Sequence, residues 1–176
     1  GNETSSLIQS LSDRVTEAAT VLKVHPEKLV QKTIQLQEHM KFLEKEISSL
    51  KSRLVLNQNE DLLSNIVDIK GIKVLTAIIE DADSKILRDI VDNTKNKLGT
   101  AIVVLATVKN GKISLVVGVT IDISAKINAG KLANFVALQV GGKGGGRMDM
   151  AQAGGTNTNC LESALQSVFT WAIERI

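Results

Sequence analysis

The residues best suited to binding chemistry lie in one fifteen-residue stretch, GGKGGGRMDMAQAGG, at residues 141–155. It contains seven of the chain's 13 glycines. Glycine lets the backbone approach a partner closely, at an entropic cost that requires a reason. Lys143 and Arg147 lie among these glycines, and bare backbone N–H groups beside such cations are suited to bind phosphate or another anionic oxygen. The composition predicts an exposed anion-binding loop.

Two common phosphate-binding motifs do not match this stretch. A dinucleotide-binding G-x-G-x-x-G motif that begins at Gly142 would need glycine where Arg147 stands. Gly141 and Gly146 have the spacing of a Walker A loop, but Arg147 and Met148 follow them in place of Lys and Ser or Thr. We therefore predict a different kind of anion site. It would join two helices and lead into the N-terminus of the last helix, where anions are favoured.

Other chemistry-bearing residues are sparse. Cys160 is the single cysteine, so an internal disulfide is excluded and a reducing, cytoplasmic environment is expected. His25 and His39 with one cysteine do not make a four-ligand zinc site. No apolar run has the length of a membrane span, so we expect no membrane partner. The chain starts Gly-Asn and not Met, which predicts a processed chain or, as we favour, a piece of a longer protein. Its net charge of +2 means that any nucleic acid would be bound by a local patch.

The elements that must position the glycine-rich stretch divide into two predicted parts, a helical segment at residues 1–60 and a globular domain at residues 61–176. Apolar residues recur near one side of a helix at residues 4–22. Pro26 then interrupts the pattern. Because proline is tolerated in the first turn of a helix, a second helix is predicted to begin there.

The second helix has the most regular periodicity in the chain. Leucines recur every seven residues, and a second set lies between them in steps of four and three; the sets are Leu29, Leu36, Leu43 and Leu50, and Thr33, Met40, Ile47 and Leu54. With the leucines at d and the others at a, they predict a coiled-coil seam of almost four heptads. The partner would be the same helix of a second chain, forming a homodimer, or residues 4–22 folded back as a hairpin. We favour the homodimer because the first helix is shorter and less regular.

From about residue 62 the pattern becomes that of a compact α/β domain. Apolar, β-branched runs at residues 72–80, 101–108 and 112–119 predict three strands. Asn110-Gly111 predicts a tight hairpin between the last two. A mixed β-sheet covered by helices is therefore expected, so the fold class is α/β of the α+β type.

Three helices are predicted to flank this sheet. The first would be capped by Ser84 and ended by Gly99, with Asp81 and Asp83 acting as caps at the preceding turn. The second is predicted at residues 128–140. The third is predicted to begin near Asn159, where Glu162 would complete a capping box.

Aromatic residues are too few for a stacking platform. The chain has no Tyr, one Trp and three Phe. The tryptophan and two of the phenylalanines fall in apolar helical stripes, and Phe42 falls at the edge of the seam. Binding of splayed single-stranded bases requires exposed aromatic side chains. Any RNA would therefore be recognised by its shape, phosphates and backbone.

Taken together, several segments resemble the DHH-associated domain family, as it occurs at the C-terminus of alanyl-tRNA synthetases and of DHH-type phosphoesterases. They are GGKGGGRMDMAQAGG, IKVLTAIIE, the helix end Lys97-Leu98-Gly99 and the hairpin VVLATVKNGKISLVVGVT. The resemblance covers about residues 69–176, and the helical lead-in is also similar. Met148 departs from the family, most of whose members have proline there. The change removes no backbone donor, because proline has none.

The resemblance implies an RNA-binding appendage that holds the outer corner of alanine tRNA, links aminoacylation and editing modules, and oligomerises through its helical part. By position, the RNA contacts would be Lys143, Gly144, Gly145, Gly146, Arg147, Asp149 and Gln152, with Lys131 flanking. The two cations of the stretch would bind phosphate. Asp149 and Gln152 would bind a 2′-hydroxyl or base edge, or else bond to the turn's own backbone. No cofactor is expected for this chain, whereas the longer enzyme would use ATP, magnesium and zinc.

Two other functions stay open on the sequence. A substrate-binding module of a DHH-type phosphoesterase would need an Asp-His-His motif that this chain lacks, and Arg147 stands where such enzymes tend to have histidine. A purely structural dimerisation module would use the glycines for tight helix packing. In each case we expect no catalysis by this chain alone, because it contains no synthetase active site and no histidine-rich editing site.

Overall fold

A computed structural model describes residues 1–58 and 60–176. The chain divides into two compact units, Gly1–Ile47 and Ser48–Ile176. Among the described residues, no helix is both long and apolar enough to cross a membrane.

The first unit is helical. Helix α1 spans Asn2–Val21, a 3₁₀ turn spans Pro26–Lys28, and helix α2 spans Leu29–Gln58 and so continues into the second unit. Pro26 occupies the first position of the 3₁₀ turn, where its missing N–H costs nothing. The predicted pair of helices and the break at Pro26 are confirmed.

The second unit is built on a six-stranded mixed sheet in the order β1-β2-β3-β4-β6-β5. The strands are β1 Val67–Ile69, β2 Ile72–Ile78, β3 Ala101–Lys109, β4 Lys112–Val119, β5 Lys143–Gly146 and β6 Met150–Gly155. Strands β2 and β3 are parallel, and the remaining neighbours are antiparallel. The mixed sheet confirms the predicted fold class.

Helices cover both faces of this sheet. Helix α3, Ser84–Leu98, packs on one face, and helices α4, Ala129–Gln139, and α5, Leu161–Ile173, pack on the other. Strand β3 is buried on both sides because its side chains alternate between faces. Its Val103 and Leu105 join the core beneath α3, whereas Ile102 and Val104 join the core beneath α4 and α5. From Ser48 onward, α2 also contacts α3, where the Ser48 hydroxyl donates a hydrogen bond to Asp89 Oδ2 at 2.8 Å.

Helix α3 begins at a side-chain cap and ends at a glycine. Asp83 is its N-cap, because a side-chain oxygen of Asp83 accepts a hydrogen bond from the Ile86 N–H at 2.8 Å. Ser84, predicted as the cap, is instead the first helical residue. Gly99 ends the helix as predicted, with a φ of 81°.

The hairpin between β3 and β4 is the one predicted from Asn110-Gly111. Both residues have positive φ angles, 52° and 71°, as a type I′ turn requires. At the other end of these strands, the Thr100 hydroxyl donates to Asp122 Oδ2 at 2.5 Å. That hydrogen bond, helped by Thr120, lowers the pKa of the Asp122 carboxyl.

The glycine-rich stretch differs from its prediction. It is not a loop between two helices; most of it forms the hairpin β5–β6, in which β6 pairs with both β4 and β5. Glycine is depleted in strands, so composition favoured a loop, whereas pairing with β4 decides the structure.

The start of helix α5 also differs. A 3₁₀ turn at Thr158–Cys160 precedes it, and the residue before its first turn, Cys160, makes no side-chain cap. The capping box predicted from Asn159 and Glu162 does not form, because Asn159 lies within the 3₁₀ turn.

Candidate functional site

The outer face of the β5–β6 hairpin is left uncovered by helix α3. A row of directly opposed residues crosses the sheet from Leu105 to Val116, Gln152 and Gly145. Leu105 and Val116 are fully buried in the core beneath α3. Gln152 is exposed, and a Cβ placed on Gly145 would meet no atom within 4 Å. The sheet is therefore open to solvent where the row reaches the hairpin.

Two other glycines of the hairpin are required by close packing. A Cβ on Gly144 would lie 2.5 Å from Ala153 Cβ and 2.9 Å from the Ala133 carbonyl oxygen of helix α4. A Cβ on Gly146 would lie 2.6 Å from Ala151 Cα. Contacts this short are excluded for real side chains. Gly144 therefore lets α4 approach, Gly146 lets β5 lie close to β6, and Gly145 faces solvent.

A shallow depression of about 410 Å³ lies on the open face. Its lining consists of Gly145, Gly146, Arg147, Met150, Ala151 and Gln152 from the hairpin and Arg88 from helix α3. Met150 is the largest apolar residue of this lining and is 6% exposed. The depression therefore combines an accessible backbone floor with two guanidinium groups.

Arg147 lies at the turn of the hairpin with a side chain that is 71% exposed. Its Nε is 3.4 Å from Asp149 Oδ1, and its backbone N–H donates to the Met150 carbonyl at 2.9 Å. An exposed ion pair of this length contributes about 0–1 kcal/mol. The pair orients Arg147 and leaves most of its N–H donors available to an anionic ligand.

The two cations of the stretch are not adjacent. Lys143 begins β5 and Arg147 follows its end, so roughly 13 Å of extended backbone separates them at about 3.3 Å per residue. Lys143 is exposed and shares the face of Gly145 through strand alternation. Within the described chain, its ammonium group has no ion-pair partner.

The remaining site residues predicted from sequence do not line this depression. Lys131 is exposed in the first turn of α4, on the helix that covers the opposite face. Asp149 is held at the turn by Arg147, and its backbone carbonyl accepts a hydrogen bond from the Val119 N–H at 2.9 Å. The structure thus brings together Gly145, Gly146, Arg147 and Gln152, and places Gly144, Lys143, Asp149 and Lys131 outside the lining.

Sequence reasoning did not identify Arg88. It lies 59 positions before Arg147, in a helix that its apolar residues predicted only as part of the core. The available signal was its position at the border of the apolar stripe formed by Leu87 and Val91. Using that signal requires knowing that the glycine-rich stretch is a strand next to β4.

Among the described residues, no metal-ligand cluster and no cysteine lies in this depression. Across residues 1–58 and 60–176, no group of three or more His, Cys, Asp or Glu side chains could hold a metal ion. The thiol of Cys160 is half-buried, outside the depression. The arrangement is suited to binding an anionic surface by cations, an amide side chain and main-chain groups.

Comparison with known proteins identifies relatives of this chain. Residues 71–174 match the DHHA1 domain family. An alanine–tRNA ligase of Ralstonia nicotianae is 48% identical over 176 residues, and one of Herminiimonas arsenicoxydans is 52% identical over 170 residues. These alignments cover 100% and 97% of this chain and 20% of each relative. The chain therefore spans about a fifth of the length of these relatives.

Solved structures agree with this relationship. The C-Ala domain of alanyl-tRNA synthetase from Aquifex aeolicus aligns with a TM-score of 0.56 and 28% identity, covering 58% of this chain and 93% of that domain. A DHH-domain member of the s1p family of ribosomal proteins aligns with a TM-score of 0.55 and 16% identity, covering 83% of this chain and 35% of that protein. The second likeness shows a shared fold alone.

Proposed function

Because the chain belongs to the DHHA1 domain family, we propose that it is the C-terminal tRNA-binding region of an alanine–tRNA ligase and binds alanine tRNA with the open face of the β5–β6 hairpin. The observation that carries the proposal is identity of about half over nearly the whole chain to ligases of this kind. Their shared segment includes the hairpin, whose exposed face has no packing role.

The chemistry of the depression supports RNA as its ligand. Guanidinium groups can bind phosphate oxygens in a bidentate manner. Gln152 both donates and accepts hydrogen bonds, so it suits a 2′-hydroxyl or a base edge. The absence of a side chain at Gly145 lets an RNA strand approach the sheet backbone. Together these groups fit a folded RNA surface, and we assign them to the outer corner of alanine tRNA.

The placement of aromatic residues supports recognition by shape. Trp171 is 6% exposed and packs 6.1 Å from the Phe135 ring. Phe42 is exposed, but it lies on α2 beside His39. No aromatic side chain lines the depression. Base stacking on a protein ring is therefore not part of the proposed binding mode.

The helical segment is proposed to form a homodimer. In the single chain the seam of α2 is uncovered: Leu36 is 37% exposed, Leu43 41% and Met40 59%. Helix α1 also leaves its own Leu7 and Leu11 exposed, at 61% and 53%, so it does not cover the seam as the hairpin alternative requires. The heptad spacing suits the same helix of a second chain.

In the longer enzyme, the proposed role of this chain is to hold tRNA while other modules aminoacylate and edit it in the cytoplasm. ATP, magnesium and zinc are proposed to be bound by those modules, and no cofactor is proposed for this chain. This chain would contribute affinity for the tRNA and a link between modules.

A footprint of alanine tRNA on the whole chain tests the proposal. We expect protection from nuclease at the outer corner of the tRNA, because a shallow, cationic face suits a folded surface. Protection confined to the acceptor end would contradict it.

A variant pair ties the footprint to the hairpin. Replacing both Lys143→Gln and Arg147→Gln should weaken corner protection without unfolding the chain. The matched control replaces two exposed lysines elsewhere, Lys70→Gln and Lys85→Gln, and should keep full protection. Equal footprints from both double variants would remove the hairpin from the proposal.

A further inference from the structure

Arg88 is a guanidinium without a partner in the described protein. It lies in the second turn of helix α3, is exposed, and lines the depression together with Arg147. Within residues 1–58 and 60–176 it makes no ion pair, hydrogen bond or contact with an aromatic ring. An arginine in a structural role would normally use its five donors on carboxylates or carbonyls.

The acidic residues of helix α3 near Arg88 are engaged elsewhere. Asp89 accepts a hydrogen bond from the Ser48 hydroxyl at 2.8 Å. Asp92 lies one turn after Arg88, where an i,i+4 pair could form, but its carboxylate is 3.4 Å from Lys95 Nζ. Lys95 is in turn held near the hairpin, where its Nζ lies 3.5 Å from the Asp149 carbonyl oxygen. The local ion pairs therefore leave Arg88 unneutralised.

We propose that Arg88 is a further RNA-binding residue, which contacts a second phosphate of the ligand that Arg147 contacts. This inference rests on the proposed function and adds a contact from outside the glycine-rich stretch. Two like charges at one open depression repel each other weakly, and a polyanion removes that repulsion. The phosphodiester backbone would lie over Gly145 and Gln152, with one guanidinium from the helix and the other from the turn.

This arrangement makes helix α3 part of the binding surface. Its apolar side packs on the sheet through Leu87, Ile90 and Val91. This packing fixes the position of Arg88 relative to the hairpin. The depression consequently has one wall that is rigidly packed and one that is a turn. We expect Arg88 to set where the RNA backbone crosses the sheet.

The test measures the affinity of the full chain for alanine tRNA across a range of salt concentrations. Arg88→Gln should lower affinity about tenfold at 0.1 M salt. It should also reduce the slope of log K against log salt by about 0.7–0.9, the change expected for one lost phosphate contact. Arg88→Lys should restore the slope and part of the affinity, because lysine keeps the positive charge but lacks the planar guanidinium that binds phosphate in a bidentate manner. Lys85→Gln, an exposed lysine one turn earlier, is the matched control and should change neither quantity.

The outcomes separate this inference from the proposed function. Tight binding by the unchanged chain with an unaltered slope in Arg88→Gln would overturn the role of Arg88 and leave the proposed function standing. No measurable binding by the unchanged chain would overturn both. A smaller slope of log K against log salt in Arg88→Gln, with an unchanged melting temperature, supports the inference. Replacing a residue with a purely structural role would lower stability and would not change this slope.

Discussion

Gly144 and Gly145 are adjacent glycines that face opposite sides of the sheet and have different roles. Gly144 faces α4, where an added Cβ would overlap Ala153 and the Ala133 carbonyl. Gly145 faces the open side, where an added Cβ meets nothing. One glycine is therefore required by the fold, and the other is available to a ligand.

This difference predicts opposite effects for two alanine variants. Gly144→Ala should destabilise the chain by about 1–3 kcal/mol, because it overpacks the contact between strand and helix. Gly145→Ala should leave stability within about 0.5 kcal/mol and should weaken tRNA binding, because its methyl group holds the RNA away from the sheet. Denaturant unfolding and tRNA affinity measure the two effects.

Each variant serves as the control for the other. A stable Gly144→Ala chain would show that helix α4 does not need the close approach. A Gly145→Ala chain that binds tRNA as tightly as the unchanged chain would show that the RNA does not lie against this part of the sheet.

At the scale of single residues, sequence reasoning identified four of the seven residues that line the depression. Gly145, Gly146, Arg147 and Gln152 were predicted because they lie within one short segment. Arg88 could not be predicted, because its position depends on pairing between strands far apart in sequence. Lys143 and Arg147 were both predicted to bind phosphate from one loop, and the extended strand β5 separates them.

At the scale of elements, local signals predicted most of the secondary structure. Asn110-Gly111 set the β3–β4 hairpin, Gly99 ended α3, and Pro26 separated the first two helices. The hairpin β5–β6 escaped prediction because glycine and alanine have low strand propensity. Its strands exist because β6 pairs with β4 and because α4 packs closely on glycines.

The prediction at the scale of elements concerns dimerisation through the seam of α2. We expect the unchanged chain to sediment as a dimer at micromolar concentration and the double variant Leu36→Asp, Leu43→Asp to sediment as a monomer. Burying a leucine stabilises by about 1.5–3 kcal/mol, whereas two carboxylates in a seam must be desolvated.

A charge-matched control separates the seam from general effects of charge. The control is Gln31→Asp with Gln35→Asp; these glutamines lie at f and c positions of the heptad repeat, away from the seam. That double variant should remain dimeric. A monomeric unchanged chain, or a dimer that survives both seam substitutions, would rule out association through these leucines.

At the scale of the whole molecule, positive and negative charges nearly balance, with 21 Lys and Arg against 19 Asp and Glu. The net charge is +2, so long-range attraction to RNA is weak and binding must come from the local cations of the open face. The relation to alanine–tRNA ligases was predictable from the ordered glycine-rich stretch. The open face that we propose for binding was not predictable, because it follows from how far α3 extends over the sheet.

The central claim is that alanine tRNA binds the open face of the β5–β6 hairpin. Its most direct test follows the backbone amide resonances of the isotopically labelled full chain as alanine tRNA is added. We predict that the largest changes occur at Gly145, Gly146, Arg147 and Gln152. Unchanged hairpin resonances, with the changes confined to the far edge of the sheet at β1 and β2, would contradict the claim.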